Sequence, residues 1–121
     1  MKKSTISKLK SELDRVFSLY IRAKYPKVCY TCGKQGVTLQ CGHFIPRNIL
    51  ITRWEEKNCR PQCIGCNLFG NGRILDFEDH LVKELGRKEV DRLKASRFTI
   101  LKLSTAWYLK TIDYYKSMLE L

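Results

Sequence analysis

Two Cys-x-x-Cys pairs, Cys29/Cys32 and Cys63/Cys66, stand thirty residues apart and constrain this chain more than any other feature. Each pair offers two thiolates at about 2.3 Å from one ion, so together they can close a tetrahedral zinc site. A disulfide framework is the other use of six cysteines in 121 residues. Met1-Lys2-Lys3-Ser4, however, runs directly into a charged amphipathic stretch with no apolar leader, and no apolar run approaches a membrane span. A reducing cytoplasm with the cysteines spent on metal is therefore the expectation, with Cys41 and Cys59 left as buried thiols. A plain zinc ribbon would need nothing further. Here the interval also holds one histidine, His43, and an asparagine, Asn58, and the second knuckle runs straight into Asn67.

The charge is uneven. Residues 1–28 carry eight Lys/Arg against two acids, residues 29–73 six against two, and residues 74–121 nine against eight. The excess of +6, +4 and +1 thus collects on the N-terminal stretch and the cysteine core. Such a distribution suits a polyanion laid across one side of the molecule. With a metal core beside it, nucleic acid is the expected partner, rather than a membrane surface or a small molecule.

One domain spanning residues 1–121 is expected, with its core at 29–73 and flanking helices over about 4–24 and 76–121. Ser4 caps the first helix, whose stripe is Leu9, Leu13, Val16, Phe17 and Tyr20 with Ile6 and Ile21 beside it. Lys8, Lys10, Arg15, Arg22 and Lys24 fall off that stripe, and Pro26 ends the helix. Val37 to Gln40 alternates as a strand, and Gly42 to Ile45 is read as its hairpin partner or continuation, with Cys41 and His43 on one face. A short helix is expected to start near Cys63 and to carry both Asn67 and Asn71. A further helix is read over Asp76–Leu85, a short helical or connecting piece over Asp91–Ser96, and a last helix is capped by Ser104. The fold class is α+β and mostly helical, built on a strand–strand–helix core around metal.

Gly42-His43-Phe44-Ile45-Pro46, Asn58 and Cys63-x-x-Cys66-Asn67 together resemble the HNH endonuclease motif in its His-Asn-Asn form. More narrowly, Leu39 to Phe44, Thr52-Arg53, Asn58, Gln62 to Asn67 and Gly70-Asn71 are similar to the phage NinG (Rap) recombination proteins. The resemblance runs from Cys29 to about Gly86. It implies a ββα-metal (HNH) fold and a nuclease acting on branched DNA, such as a Holliday junction or D-loop, in phage recombination. It also implies roles. His43 would be the general base, Asn58 would orient the histidine loop, and Asn67 would serve catalysis. Asn67 and Asn71, at a spacing of four, would offer hard oxygens to Mg²⁺ or Mn²⁺. Many HNH enzymes carry an acidic or histidine metal ligand just before the catalytic histidine. Here that residue is Gly42, as in the NinG pattern, and Cys41 is too soft to replace it.

Arg47, Arg53 and Arg60 surround the motif and are expected to approach the phosphate backbone. The expectation is a divalent-cation-dependent endonuclease, encoded by a phage or prophage and working in the host cytoplasm. A non-catalytic zinc-finger DNA-binding module is the alternative. The +10 carried by residues 1–73 argues against a third class, a zinc ribbon that binds only proteins. The last helix has two apolar columns: Leu103, Trp107, Tyr114 and Met118, then Tyr108, Ile112, Tyr115 and Leu119. These cover the core or, together with the first helix, form a homodimer interface suited to symmetric cutting of a junction.

Overall fold

The computed structural model describes residues 2–120, with side chains from Thr5 onward. Its elements in order are α1 (Lys2–Lys24), β1 (Leu39–His43), α2 (Leu50–Arg53), β2 (Cys59–Cys63), α3 (Ile74–Leu85), α4 (Arg87–Ala95) and α5 (Thr105–Met118). A π-helical turn, Gly65–Phe69, follows β2 directly. The architecture is mostly helical α+β around a small two-stranded sheet. No helix among the described residues is long and apolar enough to cross a membrane.

Helix α1 forms as its stripe requires. Leu13, Val16, Phe17, Tyr20 and Ile21 are buried, and they pack against Tyr108, Ile112 and Tyr115 of α5. The Phe17 and Tyr115 rings meet edge to face at 5.0 Å, the geometry their quadrupoles prefer. Trp54 and Cys59 close this core from the sheet side. One apolar column of α5 is therefore spent within the chain. The other, with Trp107, Tyr114 and Met118, stays largely in solvent. Ser104 caps α5 as expected, its hydroxyl oxygen accepting from Trp107 N–H. Ser4 does not cap α1, because that helix begins at Lys2.

A second core lies on the opposite flank, where Phe44 and Ile45 pack with Phe77 and Leu81 of α3 and Val90 and Leu93 of α4. Helix α4 begins at Arg87, earlier than its sequence pattern suggested. Gly86 sits between α3 and α4 at φ 92°, and this left-handed backbone ends one helix and starts the next.

Of the two readings of Gly42 to Ile45, hairpin partner or continuation, the sheet takes the continuation as far as His43. Residues 39–43 form one strand straight through Gly42, and its antiparallel partner is Cys59–Cys63. The register sets Gln40 opposite Gln62, Gly42 opposite Arg60 and His43 opposite Cys59. A proline inside a polar pentapeptide argues against a strand. A two-stranded sheet has only edge strands, however, so Pro61 is tolerated and its carbonyl still accepts from Tyr30 N–H at 2.9 Å. The strand–strand–helix order stands, with a different second strand. The helical piece starts at Gly65, and Cys63 belongs to β2.

Candidate metal centre and active site

The β1–β2 pairing brings the two knuckles together. The sulfurs of Cys29, Cys32, Cys63 and Cys66 lie within 4.8 Å of one another. Tetrahedral ligands about 2.3 Å from zinc sit about 3.8 Å apart. Cys32 and Cys63 Sγ are 3.8 Å apart. Cys66 N–H donates to Cys63 Sγ at 3.4 Å, and the Arg73 guanidinium hydrogen-bonds Cys66, so positive charge offsets the thiolates. Gly33, at φ 78°, makes the turn that returns the chain from the first knuckle, where Cys29 N–H reaches Lys34 O. The residues fit zinc.

A groove of about 770 Å³ lies beside β1. Gln40, Cys41 and His43 of that strand line it, together with Asn67, Asn71 and Gly72 and with Asp14, Ser18, Arg22 and Arg47. The ring of His43 is held at 2.8 Å, Nε2 to Arg53 O. A carbonyl oxygen only accepts, so in the neutral ring Nε2 carries the proton and Nδ1 holds the lone pair, with the Cys41 backbone also close to the ring. Burial foremost, and then the charge of Arg47, lowers the imidazole pKa below its ordinary 6.5. The ring is neutral at pH 7, as a base must be.

Asn58 bridges two segments beside His43. Wholly buried, it accepts from Ile45 N–H through Oδ1 at 2.8 Å and donates through Nδ2 to Ile45 O and Thr52 O. Ile45 lies two residues beyond His43, and Thr52 precedes the residue whose carbonyl holds the imidazole. One amide thus ties together the two segments that flank and hold the His43 ring.

The asparagines divide. Asn67 lies in the π-helical turn and donates through Nδ2 to Gln40 Oε1 at 2.8 Å, which leaves its own Oδ1 available. Asn71 is not on the same helix face. It lies beyond that helical turn, in left-handed backbone at φ 53°, a conformation asparagine tolerates. Both still line the groove.

The three arginines also divide. Arg47 keeps a side chain that is 59% exposed at the groove and pairs with Asp14 at 2.7 Å. Arg53 is largely buried, bonded twice to Asp14 and stacked on Trp54. Arg60 is a correction. Its side chain is 1% exposed and sandwiched by Tyr25 and Tyr30; it pairs with Glu84 and donates to the Glu56 and Cys59 carbonyls. With every donor facing inward, it holds the structure together and cannot reach a phosphate.

Asp14 has no signal in the sequence, being one acid on a basic helix. Burial alone would raise its pKa, but hydrogen bonds and charge from Arg53, with the charge of Arg47, hold the carboxyl below its ordinary value. It also accepts from Trp54 Nε1, so it anchors the groove wall and is not free to take a cation. Cys41, His43 and Cys59 form a second close cluster. Burial first, and then Cys41, keeps the Cys59 thiol well above its ordinary pKa, and His43 Nε2 is already engaged, so these sulfurs serve as packing.

Gln62 was also missed. It is 0% exposed, opposite Gln40, and its Nε2 donates to Thr31 Oγ1 at 3.1 Å and Gly72 O at 2.9 Å. Its Oε1 is buried with no partner. A Cβ on Gly42 would lie 2.0 Å from that oxygen, which explains the glycine before the histidine.

Among known families, the model described as Bacteriophage Lambda NinG protein matches residues 1–121. No curated protein and no solved structure matches the chain.

Proposed function

The chain belongs to the NinG family, phage proteins associated with recombination, and from that premise we propose that it is an HNH-type endonuclease cutting branched DNA. The observation that carries this reading is the tethered imidazole. His43 Nε2–H is fixed on Arg53 O, and Nδ1 is left basic beside a groove that also holds Asn67, Asn71 and Arg47.

In this reaction His43 Nδ1 takes a proton from a water molecule, whose oxygen then attacks phosphorus. One P–O bond breaks, and the leaving oxygen is protonated from solvent. A divalent cation, when bound, draws charge from the scissile phosphate and the leaving oxygen. Asn67 and Asn71 are the side chains placed to hold it, offering neutral hard oxygens. Arg47 and Arg22 supply positive charge along the groove wall, where a phosphate backbone would lie. Cys29, Cys32, Cys63 and Cys66 would hold zinc, which would tie β2 and the π-helical turn to the first knuckle and so steady Asn67.

The test is a labelled four-way junction and a matched duplex, each incubated with Mg²⁺, Mn²⁺ or EDTA. The wild-type chain should cut the junction in the presence of cation. His43→Ala should lower cleavage by about 10²-fold or more while junction affinity holds, since phosphate contacts provide the binding. A wild-type chain that binds junctions and cuts nothing is instead a zinc-finger DNA-binding module.

A further inference from the structure

One polar atom in the core has no explanation from packing. Gln62 Oε1 is buried without a hydrogen-bond partner, and leaving a buried acceptor unmatched is destabilising. The amide cannot be flipped to cure this. Its Nε2 already serves Thr31 Oγ1 and Gly72 O, and reversing it would set its oxygen against the Gly72 carbonyl, which cannot donate. The acceptor therefore points where it does because its surroundings hold it there.

Its position is informative. The oxygen occupies the place where residue 42 would carry its Cβ. Gly42 immediately precedes His43, and its φ is not in the left-handed region, so its backbone does not demand glycine. What excludes a side chain is Gln62. Three groups around it line the groove: Gln40, its cross-strand partner; Gly72, which takes its amide hydrogen; and Asn67, held by Gln40. The sole carboxylate of the groove lining, Asp14, is committed to Arg47, Arg53 and Trp54.

We propose that Gln62 Oε1 is an oxygen ligand of the divalent cation, reaching past Gly42 to act beside Asn67 in place of a carboxylate on residue 42. This rests on the nuclease reading above and adds to it a ligand drawn from the opposite strand. Amide oxygens are hard donors suited to Mg²⁺ or Mn²⁺, and a bound cation would satisfy the orphan acceptor. Both ligands are neutral, so the site binds the free ion weakly and completes its shell with phosphate oxygens from DNA. Thr31 accepts from Gln62 and also lies 3.5 Å from the zinc-knuckle sulfur of Cys29, so the zinc site steadies this ligand.

The experiment uses the zinc-loaded full chain, ¹⁵N-labelled and titrated with Mn²⁺ alone, with cleavage assayed in parallel. In the wild type, paramagnetic broadening should reach the side-chain amides of Gln62 and Asn67 first. Gln62→Leu, checked for retained zinc, should need at least about tenfold more Mn²⁺ for equal broadening at Asn67, the scale of losing a supporting metal contact. The pair Gly42→Asp with Gln62→Ala moves the oxygen from β2 to β1 in the space vacated. It should restore Mn²⁺ binding to wild-type strength or better, and it decides the matter if Gln62→Leu fails to fold. A zinc-loaded Gln62→Leu chain with the wild-type Mn²⁺ midpoint overturns the proposal, as does a folded double variant that binds no Mn²⁺. If such a Gln62→Leu chain still cuts, the nuclease reading survives and only the ligand assignment falls. A wild-type chain with neither broadening in the groove nor cleavage removes both.

Discussion

Asn58→Ala isolates the one side chain that aims the base without touching substrate. The amide is 0% exposed and makes three hydrogen bonds, from Ile45 N and to Ile45 O and Thr52 O, at 2.8, 3.1 and 3.0 Å. Alanine removes all three and leaves the Ile45 N–H and the Ile45 carbonyl without partners in the interior, while Thr52 O keeps the Glu55 N–H at 3.2 Å. At about 1–3 kcal/mol for each of the two abandoned groups, and allowing for partial relaxation, the loss comes to about 2–4 kcal/mol. That is a large share of the roughly 5–15 kcal/mol that holds a typical domain together. Urea unfolding of the zinc-loaded chain, followed by tryptophan fluorescence, should show this as a lower midpoint with unchanged slope. In the fraction that stays folded, cleavage should fall because the Ile45 and Thr52–Arg53 segments separate, while junction affinity holds. A loss below about 1 kcal/mol would refute the reasoning, since it would mean that water replaces Asn58 at all three positions.

Cys63→Ser should cost zinc and cooperative unfolding together, whereas Cys41→Ala should keep stoichiometric zinc; metal analysis beside thermal unfolding reads both. Arg60→Met should destabilise by about 2–3 kcal/mol, at the low end for a buried pair because Glu84 remains 41% exposed, and the refolded protein should bind junctions with unchanged salt dependence. Arg47→Ala should do the reverse, leaving stability nearly intact and flattening the salt slope by about one unit; binding curves at several ionic strengths separate the two. Burial, with Arg47, holds the His43 pKa below 6.5, and the base works only when neutral. Cleavage should therefore have its acid limb below pH 6.5, and a kcat/KM profile with that limb at 6.5 or above would contradict this assignment. The same sign applies to stability: the contribution of His43 is lost as pH falls from its unfolded-state pKa towards the lower folded one.

Features that depend on near neighbours were legible in the sequence. The cysteine spacing named the four thiols that the structure gathers, because two residues between cysteines suffice to set a knuckle. The stripe of α1 and the Ser104 cap follow from helical periodicity and one side-chain hydrogen bond. Asn58 could be placed because the motif carries its spacing to His43. Strand pairing was decided elsewhere: β1 pairs with β2 across a fifteen-residue excursion, residues 44–58, anchored by Asn58 and the zinc knuckle, although Pro61 spoke locally against a strand. The fate of each charge was also a tertiary matter. Arg60 and Arg47 look alike in sequence, yet one is enclosed by two tyrosines and a glutamate from α3 while the other stands at the groove. Gly42 reads as a missing ligand until Gln62, twenty residues on, is seen filling its place. Spacing and propensity act along the chain, but burial and pairing depend on which distant segments the fold brings into contact.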